Sequence, residues 1–184
     1  MTTPLQALAQ LSHKDPTPEY FARFHAEISA ENNHRGAVIL LASNTEICLR
    51  YAIRRHLAKT DYTETEQLLY RTGGPLRSFE AKIRVGYTMG IYGAQTKNNL
   101  DCIKGLRNAF AHAVIPIDFD TPEVNAVCEQ MTMPEILAPR AIEAATGLPT
   151  GRLPDLVMPR QRFQKICEAV AHNLFVVRSI GILP

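Results

Sequence analysis

The strongest constraint on this chain is a helical register that runs unbroken through residues 33–59. Ile39, Ala42, Leu49 and Ile53 recur on one face at a period of 3.6. A helix of that length extends about 40 Å, and its apolar face needs other elements to cover it. The rest of the sequence supplies helices for that purpose. Residues 18–31 open with Pro and Glu, which a helix start tolerates, and place Phe21, Phe24 and Ile28 at helical spacing. Residues 61–70 form a short helix, stopped by Thr72, Gly73, Gly74 and Pro75. Ser78 caps a helix over 79–89, with Phe79, Ile83 and Tyr87 spaced by four, and Gly90 and Gly93 bracket the following turn.

The sequence predicts a further helix over 96–111. After it, AVIPIDFD is β-branched but broken by Pro116, and reads as an extended loop. Thr121 and Pro122 open another short helix, Thr as cap and Pro at the first helical position. Residues 131–159 hold five prolines around one helical piece, 134–146. Residues 160–180 carry a stripe of Phe163, Ile166, Cys167, Val170, Leu174 and Val177, with His172 on the opposite, solvated face. The expectation is an all-α, single-domain helical bundle over residues 1–184. Its core lies at 18–130, an irregular proline-rich insertion at 131–159, and a packing helix at 160–180.

Apolar content of 46% and charged content of 21% exclude a disordered chain. The longest apolar run, residues 37–42, falls far short of the ~18–20 residues that span a bilayer. The start, MTTPLQALAQLSHK, lacks the basic and apolar regions of a signal peptide. A cytoplasmic protein without membrane partners is expected. Cys48, Cys102, Cys128 and Cys167 are scattered, without CxxC or zinc spacing, and read as buried reduced thiols. No metal and no cofactor is expected.

Charge is uneven. Residues 34–107 carry twelve basic and six acidic side chains, whereas the flanking regions are each slightly acidic. Fourteen of the twenty basic residues are arginine, suited to forked contacts with phosphate or carboxylate. Arg50, Arg54, Arg55 and Lys59 could line a phosphate-binding strip, with Lys104 as a further contact, or form an ordinary charged face. TGGPLRS lacks the pattern of a phosphate loop. No helix–turn–helix is evident, which argues against direct sequence-specific DNA binding.

The richest stretch chemically is GLRNAFAH, residues 105–112. Projected on a helix, Leu100, Ile103, Leu106 and Phe110 fall within a core band of about 120°. Arg107 lies at its edge, while Asp101, Lys104, Asn108 and His112 form a polar stripe on which Asn108 and His112 can touch. Arg107 and His112 are about 140° apart. They can face one cleft only if the helix unwinds near Ala111 or a second subunit completes the site. Glu46 sits at the edge of the apolar face of the long helix, where an unpaired carboxylate is costly. Arg107 is its expected partner.

The pieces RGAVILLASNTEICL, GPLRSFEAKIRVGYTMGI, LDCIKGLRNAFAH and DFDTPEV, within residues 35–124, resemble the mannitol operon repressor family. That family in turn resembles the HEPN superfamily of small helical domains. Its signature is Arg, a polar residue, then His after four to six intervening positions. Arg107, Asn108 and His112 match, and Arg50 and His56 match more loosely, with Tyr51 in place of the polar residue. In ribonuclease members two protomers line a shared cleft and cut RNA without metal. The resemblance would make His112 a base or orienter at the 2′-hydroxyl, Arg107 the stabiliser of phosphorane charge, and Asn108 a hydrogen-bonding support. The superfamily also contains many members that bind without cutting. The expected function is a non-enzymatic regulator with protein or RNA partners. The alternative is a metal-independent endoribonuclease working as a homodimer.

Overall fold

The computed structural model describes residues 3–11, 13–57, 62–71, 73–135 and 158–176. Among these the chain is all-α, without a strand. The helices are α1 (Pro4–Leu11), α2 (Pro18–Ala30), α3 (His34–His56), α4 (Tyr62–Leu69), α5 (Phe79–Thr88), α6 (Ala94–His112), α7 (Pro122–Gln130) and α8 (Pro159–Val176). Helix α1 has no counterpart among the sequence expectations, and it leaves Leu5, Leu8 and Leu11 exposed.

Helix starts follow local chemistry. Thr17 Oγ1 accepts the Tyr20 N–H, Asn33 Oδ1 the Gly36 N–H and Ser78 Oγ the Ala81 N–H, each satisfying a donor that the first turn leaves free. Thr121 stands before α7 as expected but does not cap it. Its hydroxyl accepts the Asp118 N–H at 3.1 Å, and Asp118 Oδ1 in turn accepts the Asp120 and Thr121 N–H groups. At the far end of α5, Gly90 takes φ +67°, and Gly90 and Ile91 donate back to the Tyr87 and Gly86 carbonyls.

Helix α3 is the central element, packed most extensively on α8 and further on α6, α5 and α2. Contact on several sides widens its buried surface beyond the expected stripe. Ala37, Val38, Leu41, Cys48 and Ala52 are buried with Ala42, Leu49 and Ile53, while Ile39 is only half-buried. By length and composition alone α3 is long and apolar enough to cross a membrane. In this fold its apolar surface is covered by the surrounding helices.

Two other expectations need correction. Tyr87 is 42% exposed. The buried aromatic at this end is Tyr92, which folds back so that its hydroxyl donates to the Ile83 carbonyl at 2.7 Å. His172 is half-buried rather than solvated, because Val170, Ala171, Asn173 and Leu174 around it are all buried. It lines a small, partly open pocket between α2, α3 and α8, together with Phe21, Phe24, His25, Asn44 and Glu168. Its Nε2 is shut from solvent without a hydrogen-bond partner, and burial lowers its pKa. The stripe of α8 from Phe163 to Leu174 is buried, and Val177 lies outside the described residues. In the expected helical piece 134–146, Pro134 and Glu135 are not helical, and the remainder lies outside the described residues.

Candidate functional site

Helix α6 carries Arg107, Asn108 and His112 in its last two turns. Ile103, Leu106 and Phe110 are buried beneath them, which fixes the rotation of the helix. The helix stays regular through His112. Ala113 N–H donates to the Ala109 carbonyl at 2.8 Å, and Arg35 from the start of α3 donates to the Ala113 carbonyl at 3.2 Å. The unwound end that would let Arg107 and His112 face one cleft within a single chain is therefore not formed.

Arg107 leans towards α3. Its Nη2 lies 3.5 Å from Glu46 Oε2, and its Nη1 donates to Asn108 Oδ1 at 3.0 Å. Asn108 thus pairs with the arginine rather than supporting the histidine. Asn108 and His112 are both exposed. With Gly105 and Ala109 they form an outward stripe at i, i+3, i+4 and i+7. Directly after it, Val114 and Ile115 are exposed as well.

Glu46 has a closer partner than the expected one. Lys82 of α5 places Nζ 2.7 Å from Glu46 Oε1 and also donates to the Arg77 carbonyl at 2.7 Å. The Lys82 side chain is only 5% exposed, against 36% for Arg107. The carboxylate therefore joins three helices, with Lys82 the buried counterion and Arg107 the peripheral one. The sequence carried a signal for Lys82. It occupies the same stripe as Phe79, Ile83 and Gly86 (i, i+3, i+4, i+7), so a charged residue sits in a core register.

The proposed phosphate strip is not an open row. Arg50 donates to the Lys14 carbonyl at 3.1 Å and stacks over the Tyr70 ring at 5.0 Å. Arg54 is paired with Asp15. Arg55 lies against the Tyr51 ring at 5.4 Å and remains exposed, while Lys59 lies outside the described residues. His56 is turned back on its own helix, with Nδ1 2.8 Å from the Ala52 carbonyl. Lys104 is paired with Glu80 and, at 3.3 Å, with Asp101. The Glu80 hydrogen bond, opposed by partial desolvation and reinforced by Asp101, holds the Lys104 ammonium above its ordinary value. These cations serve the fold before any anion from outside.

Among the described residues no group of three His, Cys, Asp or Glu side chains is placed to hold a metal. Cys48 and Cys128 are pushed up to about 12 by burial, and burial likewise holds Cys167 well above its ordinary value, so these thiols stay protonated. No protein-family model, no curated protein and no solved structure matches this chain.

Proposed function

We propose that this chain is a cytoplasmic, non-enzymatic regulator of the kind its resemblance to the mannitol operon repressors implies. It has a HEPN-like single-domain bundle and acts through a protein or RNA partner rather than by reading DNA sequence. The observation that carries this reading is the division of the Arg-Asn-His triplet. Arg107 is turned to Glu46 and bonded to Asn108, whereas α6 remains helical to His112 and presents it outward. Among the described residues Arg107 is committed to Glu46 and Asn108, and this pairing turns it away from His112. The proposed docking face is the exposed stripe of Gly105, Asn108, Ala109 and His112, bordered by exposed Val114 and Ile115. Small residues there let a second helix approach closely, and a homodimer is the proposed assembly.

The same stripe supports the second reading. His112 and Asn108 are exposed and accessible to a second copy, and about a third of the Arg107 side chain is exposed. Across a dimer cleft these groups would cut RNA without metal, His112 acting at the 2′-hydroxyl and Arg107 on the phosphorane. One experiment separates the two. The purified chain is incubated at high concentration with structured and single-stranded RNA in EDTA. The regulator reading expects intact RNA. EDTA-resistant cleavage that disappears in both folded variants, Arg107→Ala and His112→Ala, overturns it in favour of the nuclease.

A further inference from the structure

Residues 131–135 leave α7 and run back along α6 towards its N-terminus, anchored at the start by Met131 in the hydrophobic core and held beyond it mainly by polar groups. Asn99, fully buried, pairs twice with Thr132: its Nδ2 donates to the carbonyl at 2.7 Å and its Oδ1 accepts the N–H at 3.1 Å. Asn98 donates to the Gln130 carbonyl at 3.4 Å. At the end of the strap the Glu135 carboxylate accepts the Thr96 N–H at 2.9 Å, the Thr96 hydroxyl and the Gln95 N–H. The Glu135 carbonyl accepts from Asn173 of α8 at 3.3 Å.

Helix α6 begins after Gly93, which offers no capping side chain of its own. The free amides of a first turn carry partial positive charge and favour an anion. Here the anion comes from the chain itself, 40 residues away. Gly93 fits this arrangement for a reason its backbone does not supply. Its φ of −94° and ψ of −168° are open to any residue. A Cβ at that position, however, would lie 2.7 Å from Glu135 Oε1. The glycine makes room for the carboxylate.

We propose that Glu135 is a tethered anion working as a releasable latch, which caps α6 and fastens the strap 131–135 to α6 and α8 together. Release is local because residues 132–135 are held mainly by hydrogen bonds, with Pro134 the one buried side chain among them, while Met131 stays anchored in the core. The apolar core between α3, α5, α6 and α8 draws only Met131 from this segment, so residues 132–135 can leave while the core stays packed. The inference stands apart from the regulator and nuclease readings, since it concerns the opposite end of α6 from His112.

Amide hydrogen exchange on the full chain tests it. In Glu135→Ala, exchange at Gln95 and Thr96 should quicken roughly tenfold or more, the scale expected for losing a hydrogen bond to a charged group. Core amides of α3 and α8 should keep their protection. Acetate, compared with chloride at equal ionic strength, should restore protection in Glu135→Ala and change nothing in the wild type. Gly93→Ala should quicken the same amides to a smaller extent, by displacing the carboxylate end, and the double variant should be no worse than Glu135→Ala alone. Unchanged exchange at Gln95 and Thr96, loss of protection through the whole bundle, failure of acetate, or additive effects of the two substitutions would each overturn the latch.

Discussion

Replacing Lys82 by Met tests how the three-helix ion cluster is built. The substitution keeps most of the apolar stem and removes the ammonium that sits 2.7 Å from Glu46. Glu46 is only 21% exposed, so its carboxylate would be left largely desolvated with Arg107 at 3.5 Å as its remaining partner. Breaking a buried pair from one side costs about 3–5 kcal/mol. The partial exposure of Glu46 and the surviving Arg107 contact place the expected loss at the lower end, about 3 kcal/mol. In a chain of this size that lowers Tm by about 6–12 °C. Arg107→Ala removes a more exposed, solvent-screened partner and should cost only about 0.5–1 kcal/mol. Urea denaturation followed by circular dichroism measures both, provided the m-values stay equal. The paired replacement Glu46→Leu with Lys82→Met should recover most of the Lys82→Met loss, since it removes both charges. If Arg107→Ala destabilises as much as Lys82→Met, the assignment of Lys82 as principal counterion is wrong.

Burial lowers the pKa of His172, so the folded state binds this proton less readily than the unfolded chain does. The contribution of His172 to stability is present above the ordinary imidazole value and is lost as pH falls below about 6.5 through the folded value. His172→Gln should flatten that acid limb in pH-dependent urea midpoints, and an unchanged slope would refute the account. Asn99→Leu should cost about 1–2 kcal/mol, because it removes both hydrogen bonds to the Thr132 backbone, which water replaces only in part. A loss below half a kcal/mol by thermal denaturation would show that the pairing contributes little.

Helix positions were legible wherever apolar spacing and a capping side chain coincided. Asn33 and Ser78 mark the starts of α3 and α5, and the α8 stripe falls where its period puts it. Three-dimensional choices were less legible. Period alone does not say how many neighbours a helix will have, so the breadth of the buried surface of α3 and the burial of His172 went unseen. Glu46 was recognisable as a carboxylate in need of a partner. The choice between Arg107 and Lys82 depended on how α5 and α6 rotate towards α3, which no single segment encodes. Of the GLRNAFAH triplet, the sequence supplied the angular separation of Arg107 and His112, and the structure showed that the helix end does not relax it. The Glu135 contact joins groups 40 residues apart through a glycine, and nothing local announces it.

The central place of α3 also orders the life of the chain during synthesis. Its largest packing partner, α8, begins more than a hundred residues downstream. At ~5–20 residues per second, α3 would wait for its main partner for several seconds or longer. During that interval Val38, Leu41, Leu49 and Ile53 have only α2, and later α5 and α6, to shelter them. Folding therefore rests on a late, sequence-distant closure of the kind that slows a helical protein relative to one built from neighbouring hairpins. Nascent chains stalled before residue 159 should be the ones that engage chaperones, and mutations in α8 should reduce soluble yield even where the finished protein tolerates them.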